Sequence, residues 1–146
     1  MSEIREFVTF RLNQEFYGID INNVENIEKV LPITRVPYTL NYVNGVINLR
    51  GIIVPVVDLR ARFGLEPKVA SDESRIIIVN VDDLKIGMLV DSSSEVLQIS
   101  TDEIDDAPNV RKDVDNEFVK NIGKKNGRII MLIDLYKVLN IEQHVE

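Results

Sequence analysis

Two copies of one pattern follow each other along this chain of 146 residues. With a shift of 69 residues, the apolar positions and the glycine of residues 8–18 fall on those of residues 77–87. With a shift of 76 residues, the run 51–59 falls on the run 127–135. Each half therefore predicts a hairpin, a connector, a second hairpin and a short helix, which together are an internal repeat.

The residues of each half favour strands over helices. Ile and Val supply 19 residues each, whereas aromatic residues make up 6% of the chain. β-Branched side chains lose rotamer freedom in a helix and pack well on a sheet. Four or five short strands per half are too few for an open sheet, because its edges would stay unpaired. We therefore predict an all-β fold in which each half closes into a small barrel and the two barrels pack together.

Alternation of apolar and polar residues places the strands. Residues 7–12 predict a strand with one buried face and one face in solvent. Further strands are predicted at residues 16–21, 75–81 and 85–90, with Asp82-Asp83 as the turn between the last two.

Turn and cap residues place the helices. Asp58 and Asp134 occupy equivalent positions in the two halves, each just before a short helical segment whose free amides its carboxylate can accept. Residues 39–44 predict a single helical turn that Gly45 ends. The polar segment 66–74 is predicted to be the boundary between the halves.

Composition limits the partners. The net charge of −7 would repel a phosphate backbone, so the chain is predicted not to bind nucleic acid. Without cysteine, disulfides and thiol catalysis are excluded. No apolar run approaches the roughly 20 residues of a membrane span, which predicts a cytoplasmic protein that does not insert into the membrane.

Catalytic patterns are incomplete. His144 is the only histidine, so neither a zinc site nor a Ser-His-Asp arrangement can be assembled. Asp58 and Asp134 are explained as helix caps, and the acidic stretch 101–117 lacks the pattern of an EF-hand loop and is predicted to be a solvated connector. Nothing argues for an enzyme, and no cofactor or metal is predicted.

One turn distinguishes the two halves. Residues 45–51 read Gly-Val-Ile-Asn-Leu-Arg-Gly, whereas the equivalent residues 121–127 are a generic polar turn. Arg50 is either a partner contact or an ordinary solvated turn residue. Duplicates that share a fold and differ at a turn are expected to differ in what they contact there.

At this turn the chain resembles the CheW family of bacterial chemotaxis coupling proteins. The resemblance is strongest over residues 45–60 and extends over roughly residues 5 to 140. It continues at residues 16–21, 34–37, 87–91, 107–108 and 133–135.

The resemblance implies one CheW-like domain over residues 1–146, built from two intertwined five-stranded barrels of SH3-like type with short helices. The first barrel would span roughly residues 14–66 and the second roughly 75–140, with strand 5–12 a candidate for exchange between them. Family members are not enzymes. They join the histidine kinase CheA, through its regulatory domain, to the cytoplasmic tips of transmembrane chemoreceptors, and they help to pack both into membrane-associated arrays.

The resemblance also implies a protein-binding surface. Arg50 and Gly45 match sensitive signature positions, and Val24 and Val36 fall where the first barrel presents apolar side chains to partners. A groove near the join of the barrels would receive the receptor's helical hairpin. Core packing is the alternative for Val24 and Val36, as is a left-handed helix stop for Gly45. The predicted protein-binding residues are Arg50, Gly45, Asn48, Val24, Val36, Ile47 and Leu49.

One position departs from the family pattern. Family members often have a glutamate two residues after the valine equivalent to Val24, whereas here Glu25 follows Val24 directly and Asn26 takes the glutamate's place. A displacement by one residue puts a strand side chain on the opposite face. We therefore predict no Glu25–Arg50 pair. Asn26 could accept a hydrogen bond from Arg50, whose partner stays open.

Two alternatives to a coupling protein remain. One is a related regulatory module, either of the CheV type or a detached regulatory domain of the kinase. A CheV protein would need a receiver domain of at least about 100 further residues, and a kinase fragment would follow an ATP-binding domain. The other alternative is an unrecognised enzyme or small-molecule binder.

Overall fold

The computed structural model describes residues 3–106 and 118–141, which form a mostly β structure. Two hairpin repeats and two short helices appear in the predicted order. The strands are β1 (Ile4–Leu12), β2 (Glu15–Asp20), β3 (Val24–Lys29), β4 (Val43–Leu49), β5 (Ile52–Asp58), β6 (Arg75–Val81), β7 (Leu84–Val90), β8 (Ser92–Ser100), β9 (Ile104–Asp106), β10 (Val119–Lys125) and β11 (Arg128–Ile133). The helices are α1 (Leu59–Arg62) and α2 (Leu135–Val138).

The predicted helix caps are confirmed. The Asp58 side chain accepts hydrogen bonds from the backbone amides of Arg60 and Ala61, and Asp134 does the same at the start of α2. Gly64 follows α1 with a φ of +74°, the left-handed conformation expected of a residue that ends a helix.

The strands form two sheets, each of which combines residues from both halves. One has the order β8-β1-β2-β11-β10-β9, and the other has the order β3-β6-β7-β5-β4. β1 and β2 thus pair with strands of the second half, and β6 and β7 pair with strands of the first half. The exchange of residues 5–12 between two barrels stays a prediction. Parallel pairing of β2 with β11 and of β5 with β7 makes the two junctions. The barrel boundaries at residues 14–66 and 75–140 stay a prediction.

Three apolar clusters fill the structure. The largest lies between the two sheets and includes Val8 and Phe10 of β1 and Ile77 and Val79 of β6. Each sheet also encloses a smaller cluster of its own. These clusters are Ile47, Leu49, Val54, Val56, Ile76 and Ile78 in one sheet, and Phe7, Ile99, Ile130 and Leu132 in the other.

The prediction of a solvent-exposed face for the first strand is wrong at its centre. Phe7 and Thr9 are only 2% and 3% exposed, although they alternate with the core residues Val8 and Phe10. Phe7 packs into the cluster of its own sheet, and the Thr9 hydroxyl donates a hydrogen bond to the Glu95 carbonyl at 3.2 Å. Both faces of β1 are therefore covered.

The helical turn predicted at residues 39–44 is also wrong. The Val43 amide donates to the Leu40 carbonyl at 3.0 Å, which is a single hydrogen-bonded turn, and β4 begins at Val43. Gly45 lies inside β4 next to an irregularity in its pairing with β5. The chain forms a strand instead of a helical turn here because an extended conformation buries the side chains of Ile47 and Leu49.

Some sequence predictions fall outside the described residues, namely those for His144 and for residues 107–108. Of the acidic stretch 101–117, the structure describes a 3₁₀ turn at Thr101–Glu103 and the short strand β9. Within the described ranges, α1 and α2 have four residues each, and no helix could cross a membrane.

A buried ion pair joins the two halves beside α1. The guanidinium of Arg60 lies 2.7 Å from the carboxylate of Asp91, and their side chains are 10% and 11% exposed. Arg60 also donates to the side chain of Asn13 at 2.7 Å and to the carbonyl of Glu66 at 2.8 Å. The Asn13 amide donates to Asp91 at 2.7 Å. The network ties the β1–β2 turn, α1 and the end of β7 together.

Asp91→Asn should lower the free energy of unfolding by about 3 kcal/mol, because Arg60 would be left buried without its counter-ion. Urea unfolding measures this loss. Asp105→Asn is the control, because it breaks the exposed pair of Asp105 and Lys124 and should leave stability nearly unchanged. Equal free energies of unfolding for the two variants would contradict a stabilising role of the buried Arg60–Asp91 pair.

Candidate protein-interaction surface

Arg50 stands at the tip of the β4–β5 hairpin. Arg50 and Gly51 have φ angles of +51° and +89°, as the two central residues of a tight hairpin turn require. The side chain of Asn48 accepts a hydrogen bond from the Gly51 amide at 2.8 Å and so holds the turn closed. The Arg50 side chain is 65% exposed. The hairpin therefore presents a guanidinium group on a fixed support.

Arginine is a poor residue for this turn. Among the residues that the structure describes, seven non-glycine residues have positive φ, and five of them are Asn or Asp, which tolerate that conformation. The exceptions are Arg50 and Tyr38. At the equivalent turn of the other half, Asn126 has a φ of +53°. A left-handed conformation costs an ordinary residue about 1 kcal/mol. Turn geometry thus favours Asn at position 50. The presence of Arg therefore indicates that a contact made by its side chain is the reason for this residue.

The intramolecular partner of Arg50 is Glu28. The two charged groups lie 3.6 Å apart, and the Glu28 side chain is 18% exposed while Arg50 remains mostly in solvent. Asn26 donates its side-chain amide to Glu28. Asn26 therefore supports the carboxylate instead of accepting from Arg50. A contact of this length, with Arg50 mostly in solvent, contributes little to stability.

Among the described residues, the hydrogen-bond and ion-pair partners of Glu25 are Asn80 and Lys85. Glu25 accepts a hydrogen bond from Asn80 at 3.0 Å and pairs with Lys85 at 3.0 Å, on the other face of β3. The hydrogen bonds from Asn80 and Lys85 lower the pKa of Glu25. Glu28 was missed from sequence, although it lies two residues beyond Asn26 and hence on the same face of the strand.

Gly45 has a structural role. Its φ is +144°, and a Cβ built on it would lie 2.1 Å from the carbonyl oxygen of Thr34. Thr34 and Val46 exchange backbone hydrogen bonds at 2.8 and 2.9 Å. The backbone of the preceding loop thus lies directly against β4, where only glycine fits. Gly45 is not a helix stop.

The other predicted binding residues divide between core and surface. Ile47 and Leu49 are 1% and 3% exposed, so they support the hairpin from within instead of facing a partner. Val24 is half buried against the core between the sheets, and Val36 is exposed. Because Thr34 pairs with Val46, Val36 lies toward the opposite end of β4 from Arg50, separated by roughly 13 Å or more at the usual rise per strand residue.

An uncharged segment surrounds Arg50. Residues 36–57 contain no other charged residue, although 28% of the chain is charged. Large apolar side chains are exposed along it. They are Val36, Tyr38, Leu40, Ile52 and Ile53. This uncharged segment with its exposed apolar side chains is therefore a candidate interaction surface.

A cleft opens where the two halves meet. Its apolar floor includes Phe7 and Leu132, and its polar rim includes Arg5, Asp20 and Tyr136. Arg5 and Asp20 pair across the rim at 3.0 Å. In the part of the chain that the structure describes, no group of three or more acidic or imidazole side chains could hold a metal ion.

Known proteins are similar to this chain in sequence and in fold. A family model described as "CheW-like domain" matches residues 6–143. The chemotaxis protein CheW of Bacillus subtilis is 39% identical over 138 residues, which are 94% of this chain and 88% of that protein. The crystal structure of the scaffolding protein TtCheW from Thermoanaerobacter tengcongensis has a TM-score of 0.87 at 37% identity and covers 98% of this chain and 99% of that chain. Chemotaxis protein CheV3 of Helicobacter pylori is 27% identical, and the match covers 96% of this chain and 48% of CheV3.

Arg50→Asn should raise the free energy of unfolding by about 0.5 kcal/mol, because relief of left-handed strain exceeds the loss of the weak Glu28 contact. Urea unfolding against the wild-type chain measures the change. A clear loss of stability would show that Arg50 stabilises the fold, which would contradict the prediction.

Gly45→Ala should destabilise the chain by more than about 3 kcal/mol, because the added Cβ collides with the Thr34 carbonyl at a disallowed φ. Gly127→Ala is the matched control, since Gly127 has a φ of +75° but nothing lies within 4 Å of its Cβ position. The control should lose about 1 kcal/mol. Equal losses in urea unfolding would contradict the backbone collision.

Proposed function

This chain belongs to the family of CheW-like domains, and we propose that it is a chemotaxis scaffold that joins the histidine kinase CheA to the cytoplasmic tips of transmembrane chemoreceptors. The family match over residues 6–143 and the CheW relatives, which it covers over most of their length, support this function. The solved relative is described as a scaffolding protein. We also propose that the chain catalyses no reaction.

The observation that carries the proposal is the display of Arg50. Its side chain projects from a closed hairpin turn, its backbone conformation suits Asn better, and its only ion pair among the described residues is the 3.6 Å contact with Glu28. Several guanidinium N–H groups thus stay available to a carboxylate or carbonyl of a partner. The equivalent turn of the second half has Asn126 instead.

The receptor contact would combine Arg50 with apolar residues nearer the join. Val24 is half buried at the start of β3, and Val36 is exposed in the loop before β4. A helical hairpin presents apolar side chains at spacings that fit a groove of this kind. The cleft between the halves offers an apolar floor for such side chains. Ile47, Leu49, Gly45 and Asn48 would act indirectly, by holding the hairpin in place.

We propose that the two sheets are SH3-like barrels. In one sheet, β3 and β4 are the edges. Glu28 of β3 lies near Arg50, which follows β4, and Thr34 in the loop after β3 pairs with Val46 of β4. In the other sheet, the edge strands β8 and β9 are separated by only the three residues Thr101–Glu103. Each sheet also encloses its own apolar cluster, as a barrel would.

We propose that the chain acts in the cytoplasm and is recruited to receptor arrays at the membrane. Recruitment would require no membrane segment of its own, because the receptor and the kinase supply the contacts. A second candidate is a regulatory module of the CheV type, which the match to CheV3 favours. The CheW relatives favour the scaffold, since this chain covers 88% of the Bacillus subtilis protein and 48% of CheV3.

Arg50→Glu should weaken assembly with the receptor fragment and leave thermal unfolding nearly unchanged, because an exposed turn charge rarely alters stability by more than about 0.5 kcal/mol. Sizing of a mixture of the chain, a receptor fragment and the kinase measures the assembly. Lys68→Glu is the control, because it makes the same charge change at an exposed residue of segment 66–74, between the two halves. Normal ternary assembly of Arg50→Glu would refute the role of Arg50.

A further inference from the structure

Asn126 and Gly127 form the exposed tip of the β10–β11 hairpin. Their φ angles are +53° and +75°, as the two central residues of a tight hairpin turn require. Both residues are exposed, and a Cβ built on Gly127 would have nothing within 4 Å. An asparagine followed by a glycine brings a side-chain amide next to a backbone nitrogen that no side chain shields. The tip thus exposes two groups that can react with each other.

We propose that Asn126 is a site of spontaneous deamidation. The backbone nitrogen of Gly127 attacks the side-chain carbonyl carbon of Asn126, and the new C–N bond closes a five-membered succinimide ring. The bond from that carbon to the side-chain nitrogen breaks, and the nitrogen leaves as ammonia with the proton of the Gly127 amide. Water then opens the ring at one of its two carbonyl carbons and gives aspartate or isoaspartate. Solvent water is the only co-reactant, and the site is independent of the proposed function.

Two cationic side chains flank this tip and favour the reaction. Lys125 precedes Asn126, Arg128 follows Gly127, and the two cationic residues are partners across the hairpin. Like charges opposite each other weaken a strand pair, so the tip opens more readily. Nearby positive charge also favours the deprotonated form of the attacking nitrogen.

The equivalent tip of the first half shows how a glycine amide can be held back. There the Gly51 amide donates to the side chain of Asn48 at 2.8 Å. The residue equivalent to Asn48 in the second half is Lys124, whose ammonium group can only donate. That ammonium group lies 2.9 Å from the carboxylate of Asp105. The side chain that closes the first tip therefore has no counterpart at Gly127.

The chain contains a second Asn-Gly pair, which is an internal control. Asn44 is half-buried, and Gly45 is buried within β4. A Cβ on Gly45 would lie 2.1 Å from the Thr34 carbonyl oxygen, so the preceding loop packs directly against this backbone. Attack on Asn44 requires β4 to open, and a buried strand opens rarely. The fold therefore protects Asn44 and leaves Asn126 accessible.

The reaction changes the tip in two ways. Each event replaces one neutral amide with one carboxylate, so the net charge passes from −7 to −8. Aspartate tolerates the left-handed conformation and would lie between two cations, so the hairpin should keep its pairing. Isoaspartate carries the main chain through the former side chain and adds one carbon to it, so the geometry of a two-residue turn is lost. One product is thus compatible with the hairpin, and the other distorts it.

Peptide mapping by mass spectrometry tests the site. The full chain is incubated at mildly alkaline pH, folded and in urea, and the peptides that contain Asn126 and Asn44 are followed for conversion of the amide to the acid. In the folded chain, Asn126 should react at least roughly tenfold faster than Asn44, because the buried site reacts only after opening. In urea, the two rates should agree within roughly threefold, since the fold no longer distinguishes the sites.

Two variants test the causes. Lys125→Gln removes one flanking cation and should slow the reaction of Asn126 roughly threefold in the folded chain. Arg50→Asn places an asparagine before Gly51 at the first tip. Conversion at position 50 should be slower than at Asn126, because Asn48 holds the Gly51 amide.

The outcomes decide the proposal without any partner protein. Equal rates at Asn126 and Asn44 in the folded chain would overturn it, because the fold would then not select the site. An Asn126 that reacts in urea and stays intact in the folded chain would overturn it as well, because the native tip would then be closed to attack. Rapid conversion of Asn126 alone in the folded chain would support the proposal.

Discussion

The pairing of the first hairpin of each half with strands of the other half is the constraint on which the rest of the structure depends. Neither half holds all the strands of a sheet, because β1 and β2 pair with strands of the second half while β6 and β7 pair with strands of the first. The largest apolar cluster lies between the sheets and draws on both halves. The buried ion pair of Arg60 and Asp91 also joins the two halves. The sheets and their shared core are thus expected to unfold as one cooperative unit.

The interaction surface is a consequence of this support. Buried Ile47 and Leu49 hold the β4–β5 hairpin on the core, and Asn48 closes its tip. The fold can therefore hold Arg50 and Tyr38 in strained backbone conformations without losing its register. The duplicated fold also provides an internal comparison. At the turn of the second half that is equivalent to the turn of Arg50, the residue is Asn126, which suits the left-handed conformation.

Local signals predicted most elements, whereas contacts between distant residues escaped sequence analysis. Asp58 and Asp134 were identified as caps because a cap involves only the amides of the next turn. Burial of Thr9 could not be predicted, since alternation along one strand does not reveal a second apolar layer. Glu28 was missed as the partner of Arg50 because β3 and the β4–β5 hairpin are not neighbours in the sheet order, so no local pattern indicates their contact.

The central claim is that this chain holds two proteins together at separate surfaces. The most direct measurement is the mass, by light scattering after size exclusion, of the full chain mixed with the kinase's regulatory domain and a receptor-tip fragment, singly and together. The account predicts a complex with each partner alone and a single larger species that contains all three. Competition of the two partners for the chain, or the absence of any complex, would contradict it.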